Sequence, residues 1–139
     1  MQGNTQSPAM LIHKMSCGFI LSQSLYVVAK LGIADFIDDG QANSLQLARS
    51  ARAEEKVSYR VMRALAGFGV LHEDDDGSFS LAPAGHLLRS DHPRSLRYAV
   101  TFRCEENYDA FRALVHSVRT GENAFKCVFG AARNQAERG

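Results

Sequence analysis

Residues 57–83 read VSYRVMRALAGFGVLHEDDDGSFSLAP, and this stretch decides the fold. Gly67 and Gly69 mark the predicted end of an amphipathic helix. Two short strand-like runs, 70–73 and 78–81, flank an acidic Asp-Gly turn and predict a tight hairpin. A helix followed by a hairpin is the second half of a winged helix-turn-helix. The apolar face of the helix is made at helical spacing by Val57, Val61, Ala64, Leu65 and Phe68.

The first half of this motif precedes residue 57. Ser44 is a good N-cap for a short helix over 45–51, and a second helix is expected to begin near Ala53 or Glu54. Two short helices joined by a tight turn form a helix-turn-helix. The predicted fold class is therefore mainly α, a winged helix-turn-helix with a small β-hairpin wing, to which long N- and C-terminal helices are added.

These two long helices suggest self-association. The first, from about Ala9 to Leu31, is apolar around most of its surface and must be covered on several sides. In a short chain a second copy can supply part of that cover, which predicts a homodimer, and the alternative is a central helix of a monomer. The second helix, from Ser95 to about Val118, has a narrow apolar seam that suits another long helix, made by Val100, Cys104, Tyr108, Phe111, Val115 and Val118.

Length and composition exclude several classes of function. The chain has 139 residues and a formal charge of +1, so nothing global attracts it to nucleic acid or acidic lipid. No apolar run is long enough for a bilayer, and the start lacks the secretory signal pattern. Three cysteines without a CxxC pair and five histidines without ligand spacing predict a cytoplasmic protein with reduced thiols and no metal site. We divide the chain into a disordered N-terminus (1–8), a folded domain (9–130) and a polar tail (131–139).

The charges on the helix-turn-helix disfavour DNA binding. Glu54 and Glu55 open the helix that would enter the major groove, and residues 73–76 make the wing tip acidic. Affinity for DNA comes mostly from cations on phosphates, and here each acidic group near a phosphate costs on the order of 1 kcal/mol. Lys56, Arg60 and Arg63 offset the acidic groups only in part. A winged-helix DNA-binding regulator is kept as an alternative to a packing scaffold.

Four segments resemble, in order, the signatures of S-adenosylmethionine-dependent small-molecule O-methyltransferases of the hydroxyneurosporene, acetylserotonin and polyketide-tailoring type. The first is QSLYVVAKLGIAD at 23–35, and the second is YRVMRALA at 59–66 with Gly69-Val70. The third is FSLAPAG at 79–85 followed by Leu87-Leu88-Arg89. The fourth is HSVRTGE at 116–122, with Ala124-Phe125 and Val128-Phe129-Gly130.

The resemblance implies the N-terminal dimerisation domain of an enzyme of secondary metabolism, with long helices that intertwine between subunits. In that family a larger C-terminal domain holds the Gly-rich loop for S-adenosylmethionine and the catalytic His/Glu base. This sequence contains no GxGxxG pattern and ends soon after Gly130, so we expect no methyl transfer and no S-adenosylmethionine binding without a catalytic domain. The expected role is scaffolding or small-molecule binding, and the alternative is a partner subunit that supports a separate methyltransferase in trans.

No residue stands out as catalytic, but a ligand site is predicted between the long helices. In the resembling enzymes these helices face the acceptor molecule, which is often aromatic. Met and Phe side chains supply adaptable apolar walls. The alternative for the same residues is the core of the dimer. The predicted ligand-binding residues are Met15, Phe19, Phe102, Tyr108, Phe111 and Phe125.

Overall fold

The structure is a computed structural model that describes the backbone of residues 7–136 and the side chains of residues 7–130. The chain divides into two compact units, a first unit of residues 1–97 and a second unit of residues 98–139. The predicted disordered N-terminus falls, for residues 1–6, outside the described residues. The last part of the predicted polar tail, residues 137–139, also falls outside them.

The first unit is a small helical assembly that ends in a hairpin. Its elements are α1 (Pro8–Ser16), α2 (Gly18–Leu31), α3 (Ile33–Asp38), α4 (Ser44–Ser50), α5 (Glu55–Gly67), β1 (Leu71–Glu73), β2 (Phe79–Leu81) and a 3-10 turn (Gly85–Leu88). The two strands are antiparallel, with Leu71 opposite Leu81 and Glu73 opposite Phe79. The predicted mainly α fold, with a hairpin after two short helices, is confirmed.

The turn of the hairpin has the predicted Asp-Gly chemistry. The Asp74 amide donates to the Ser78 carbonyl at 2.9 Å, and Gly77 adopts a φ of 77° that favours glycine. The carboxylate of Asp76 accepts hydrogen bonds from the hydroxyl and the amide of Ser78, which lower the pKa of Asp76. Local hydrogen bonds therefore fix the acidic loop.

The predicted continuous helix from Ala9 to Leu31 is wrong, because the helix is interrupted at Cys17. Cys17 has φ −94° and ψ 0°, and it ends α1 and precedes α2. The Ser16 hydroxyl donates to the His13 carbonyl at 2.9 Å. Serine, cysteine and glycine in succession are poor helix formers, and a serine that bonds to the backbone competes with the helix ladder. These local preferences outweigh the apolar periodicity.

The helix starts are partly as predicted. Asn43, and not Ser44, caps α4, since its Oδ1 accepts from the Leu45 amide at 2.8 Å; asparagine is as good an N-cap as serine. The predicted start of the next helix is confirmed, because the Glu54 carboxylate accepts from the Val57 amide at 2.7 Å. That hydrogen bond lowers the pKa of Glu54.

The core of the first unit lies where α2, α3, α4 and α5 meet the hairpin. Every one of these elements, and the 3-10 turn that follows the hairpin, contributes residues with almost no solvent exposure. They are Val28, Ala29, Ile33, Ala34, Leu47, Ala48, Met62, Leu65, Leu71, Phe79 and Leu88. Phe79 lies edge-on to the ring of Tyr59, with centroids 5.8 Å apart. The hairpin is therefore an integral wall of the core.

Gly85 is a position where no larger residue fits. A Cβ there would overlap the Val70 carbonyl oxygen and lie 3.3 Å from Leu81 Cδ2. Because the nearest atom that the added Cβ meets belongs to the backbone, the chain must shift, and such overpacking costs about 1–3 kcal/mol.

We expect Gly85→Ala to lower the free energy of unfolding by that amount in urea titrations. Gly40→Ala is an unsuitable control because Gly40 has φ 95°, so the matched control is Gly67→Ala, where a Cβ meets nothing within 4 Å. Equal stability of Gly85→Ala and Gly67→Ala would contradict the prediction.

The second unit is a chain of short helices. Its elements are α6 (Arg97–Phe102, which starts at the last residue of the first unit), a π-helical turn (Arg103–Asn107), α7 (Tyr108–Arg112), α8 (Leu114–Thr120) and α9 (Ala124–Ala136). The predicted single helix from Ser95 to Val118 is therefore wrong. The helix widens at the π-helical turn. At Ala113 it tightens, because the Ala113 amide donates to the Ala110 carbonyl, three residues earlier. Gly121, with a φ of 75°, ends α8.

Candidate functional site

The predicted ligand-binding residues divide between the two units. Met15 on α1 and Phe19 on α2 belong to the first unit, and both are exposed. In the second unit, Phe111 and Phe125 come together as walls of one groove. Phe102 stacks on Tyr98, with ring centroids 6.4 Å apart, and like the half-buried Tyr108 it is not among the lining residues.

The groove lies between α7, α8 and the start of α9 and has a volume of about 340 Å³. That volume falls within the range of small-molecule sites, about 300–1,000 Å³. Two aromatic rings and three aliphatic side chains give it an apolar surface, with polar groups at intervals. The lining residues are Asn107, Ala110, Phe111, Leu114, Ser117, Glu122, Asn123, Ala124 and Phe125.

Three local backbone features build this groove. The tightened turn at Ala113 separates α7 from α8, and the left-handed Gly121 ends α8. Asn123 then starts α9, since its Oδ1 accepts from the amides of Phe125 at 2.9 Å and Lys126 at 3.3 Å. The chain turns back, α9 packs against α7, and the groove lies between them.

The polar groups of the groove differ in how well they are satisfied. Glu122 lies 2.7 Å from Nε2 of His116. The Asn123 side-chain oxygen is bonded to the amides of α9. The hydroxyl of Ser117 is inaccessible to solvent and has no hydrogen-bond partner in the described part of the chain. Ser117 therefore lines the groove as a residue whose hydroxyl is buried and not exposed to it.

A second surface feature is an exposed apolar surface that runs around α1 and onto the start of α2, which we call the α1–α2 face. Its side chains are 47–71% exposed, although they are large and apolar. Exposed apolar side chains on successive helical turns mark sites of interaction. The members of the α1–α2 face are Met10, Leu11, Ile12, Met15, Phe19 and Ile20.

The surface of α5 and the hairpin is of mixed charge. Glu73 of the hairpin accepts a hydrogen bond from the Tyr59 hydroxyl at 2.6 Å, which raises the pKa of Tyr59. The other oxygen of Glu73 lies 3.9 Å from Nε of Arg63. One cation of α5, the helix that would enter the major groove, thus faces a carboxylate of the hairpin. Residues 74–76 add further acidic groups.

Among the described residues, no group of three or more His, Cys, Asp or Glu side chains could hold a metal ion. No described helix has the length and apolar character needed to cross a bilayer.

Sequence reasoning missed much of the groove. It selected methionine and aromatic side chains, and so omitted Leu114, Ser117, Glu122 and Asn123. One available signal was Asn123, an N-cap residue just before the apolar start of α9. The bend at Ala113 has no comparable signal, because alanine is the best helix former.

Known proteins that resemble this chain are methyltransferases. Phenazine O-methyltransferase from Lysobacter antibioticus is 39% identical over 122 residues, which cover 88% of this chain and 36% of the relative. The 8-amino-8-demethylriboflavin N,N-dimethyltransferase of Streptomyces davaonensis is 45% identical over 103 residues, covering 73% of this chain and 30% of the relative. The chain thus spans about a third of the length of these curated relatives.

Solved structures agree with the sequence matches. The crystal structure of LaPhzM superposes with a TM-score of 0.84 at 37% identity, covering 94% of this chain and 41% of that chain. The family model described as the O-methyltransferase dimerisation domain matches residues 13–91, more than half of the chain. The resemblance inferred from the four sequence segments is confirmed, and the chain belongs to the O-methyltransferase dimerisation domain family.

Proposed function

We propose that this chain forms a homodimer and acts as the scaffold of a cytoplasmic methyltransferase system of secondary metabolism. It would have no methyl-transfer activity of its own, and S-adenosylmethionine would bind only to a catalytic domain. The observation that carries the proposal is the α1–α2 face, a set of large apolar side chains that the described chain leaves uncovered. Membership in a dimerisation-domain family supports a second copy as the cover.

The energetics favour a self-complementary contact. Full burial of a large apolar side chain contributes about 1.5–3 kcal/mol, so covering half-exposed ones contributes about 1 kcal/mol each. Association costs about 4–15 kcal/mol in lost freedom. In a two-fold dimer every contact occurs twice. Burial of the α1–α2 faces of both copies therefore contributes a favourable free energy of the same size as the cost of association.

Self-association is tested by light scattering after size exclusion. We expect a dimer at micromolar concentration. Ile12→Asp with Phe19→Asp places two carboxylates on the α1–α2 face, and we expect the dissociation constant to rise at least tenfold. The matched control is Val57→Asp, because Val57 is 60% exposed but lies on α5. A monomeric parent protein, or equal dissociation of the control, would refute the proposal.

The second part of the proposed function is that the groove of the second unit binds an aromatic molecule. Its volume and the rings of Phe111 and Phe125 suit a planar ligand. The relatives support this chemistry, since their names place phenazine and 8-amino-8-demethylriboflavin among the compounds that they act on. The sequence gives no residue of the groove a catalytic role, and we propose binding there, not catalysis.

We do not extend the proposal to DNA. The described surface of α5 offers Lys56, Arg60 and Arg63, but Glu73 lies against Arg63, and the hairpin turn adds Asp74 and Asp75. A phosphate backbone at this surface would meet carboxylates at the hairpin, where a DNA reader needs cations. Support of a separate methyltransferase in trans stays a prediction from the sequence.

A further inference from the structure

We propose that His13 and Cys17 form one half of a zinc site, and that the same two residues of a second copy of the chain form the other half. The complete site has two cysteines and two histidines and lies at the two-fold axis of the homodimer. This inference rests on the proposed self-association through the α1–α2 face, and it adds a metal ion to that interface.

His13 and Cys17 lie one helical turn apart at the end of α1. Cys17 Sγ is 3.9 Å from Nε2 of His13 and 4.0 Å from Nδ1. In a tetrahedral zinc site, with Zn–S of about 2.3 Å and Zn–N of about 2.0 Å, the sulfur and nitrogen ligands lie roughly 3.5 Å apart. The imidazole is exposed, so a rotation of its ring can aim one nitrogen at a metal beside the sulfur. The two side chains are therefore close to the spacing of zinc ligands.

The pair lies at the centre of the α1–α2 face. The intervals in the series Met10, His13, Cys17 and Ile20 are three, four and three residues, which places these residues along one side of the helical path. The α1–α2 face spans residues 10–20, and its midpoint falls between His13 and Cys17. In a two-fold contact, residues at the centre of the surface lie near the axis and meet their own copies. Dimerisation through this face therefore brings two such pairs together.

One copy supplies too few ligands. A structural zinc ion is held by four, and no described group of three or more His, Cys, Asp or Glu side chains in a single chain could hold a metal ion. Two copies of the pair supply two thiolates and two imidazoles. No Asp or Glu occurs from residue 7 to residue 31, so the donors at this surface are nitrogen and sulfur. Such donors suit zinc and not magnesium or calcium.

The charge of the site suits an apolar interface. Each thiol releases its proton to solvent as it binds the metal, so one Zn²⁺ displaces two protons and the two thiolates balance its charge. The metal also gives the imidazole and the thiol a partner when the dimer removes them from water, where unpaired polar groups are costly. The neighbouring cation, Lys14, is exposed, and its long side chain can keep the ammonium in solvent.

Zinc binding and self-association of the full chain test this inference, with the thiols kept reduced so that no disulfide joins two copies. We expect about one zinc ion for every two chains, the ratio that a four-ligand site shared between two copies requires. Exchanging EDTA for zinc should lower the dissociation constant of the dimer at least tenfold, because a ligand that binds only the dimer favours it. Cobalt(II) in place of zinc should give the intense visible absorption of tetrahedral thiolate coordination.

Two variants and two controls identify the ligands. Cys17→Ser and His13→Gln should each remove the cobalt absorption and the effect of zinc on the dimer. The controls are Cys127→Ser, an exposed thiol on α9, and His72→Gln, an exposed imidazole on β1, and both should behave like the parent protein.

The outcomes separate the metal site from the dimer. A dimer that forms equally well in EDTA and in zinc would overturn the zinc site and leave the homodimer standing. One zinc ion per chain, or a cobalt absorption that persists in Cys17→Ser, would also overturn it. If the parent protein is monomeric both with and without zinc, the proposed homodimer and the zinc site both fail.

Discussion

Replacing Phe79 with alanine is expected to lower the free energy of unfolding by about 3–5 kcal/mol, the range for large core aromatics. Phe79 is 1% exposed and lies edge-on to Tyr59. Its strand β2 packs on α3, and its amide donates to the Ala42 carbonyl at 2.8 Å. The substitution would leave a cavity between the hairpin and the helices, because the backbone around Phe79 is fixed by these hydrogen bonds. Urea denaturation followed by circular dichroism measures the change.

Phe68→Ala is the matched control, because Phe68 follows α5 but is 66% exposed. It loses little burial, and we expect a change below about 1 kcal/mol. If the two variants were equally stable, the hairpin would not be a wall of the core. The first unit would then be held together by its helices alone.

The part of the fold that could be predicted from the sequence is the part with local determinants. The helix over residues 57–67 has a clear apolar face, and Gly69 follows it with a left-handed φ of 77°. The hairpin has short apolar strands around a turn whose Asp76 and Gly77 satisfy the turn geometry by themselves. In these segments propensity, periodicity and turn chemistry agree, and all three predict the same secondary structure.

The errors arose where the apolar period continues through a break. Cys17 interrupts an apolar run, and the interruption depends on weak preferences of serine, cysteine and glycine. At Ala113 and in the π-helical turn at 103–107 no residue type signals the change. Periodicity records which positions are apolar over many turns, and it is insensitive to one extra or missing residue. The long helices were therefore predicted as unbroken.

The candidate site was predictable only in its apolar component. Phe111 and Phe125 were selected because they are large and lie near the long C-terminal helix. Ser117 was not selected, because it is neither large nor apolar. Which apolar residues share a groove depends on the bend at Ala113 and the cap at Asn123. The sequence signals the cap at Asn123, but the bend at Ala113 follows from the fold of the second unit and not from spacing.

A long-range contact closes the first unit, and sequence reasoning did not find it. Arg97 Nε donates to the Ala29 carbonyl at 2.8 Å, and its Nη1 donates to the Asp35 carboxylate at 2.8 Å. Between these partners lies Gly32, whose φ is 70° and whose missing Cβ would lie 3.2 Å from Arg97 Nη2. The other oxygen of Asp35 accepts from the Ser90 amide. One guanidinium therefore holds the corner between α2 and α3.

Arg97→Ala is expected to lower the free energy of unfolding by about 3 kcal/mol. It removes two charge-assisted hydrogen bonds, each worth about 1.5–3 kcal/mol, and the partial exposure of Arg97 and Asp35, 30% and 28%, reduces the total. Arg97→Lys keeps the charge but lacks the planar fork that reaches both partners, so about half of the loss should remain.

The matched control for this corner is Arg94→Ala, because Arg94 is exposed and lies one short step before Arg97 in the same segment. We expect less than about 0.5 kcal/mol for that change.

Gly32→Ala tests the same corner from the other side, since it strains a left-handed position and pushes on the guanidinium. If Arg97→Ala were no more destabilising than Arg94→Ala, the turn at Gly32 would have to be stable without the Arg97 guanidinium. In that case Gly32→Ala would remain destabilising in the Arg97→Ala background by the backbone strain alone, and the two effects would add. Coupling between them, measured in a double-mutant cycle, would instead show that the arginine and the glycine act as one unit.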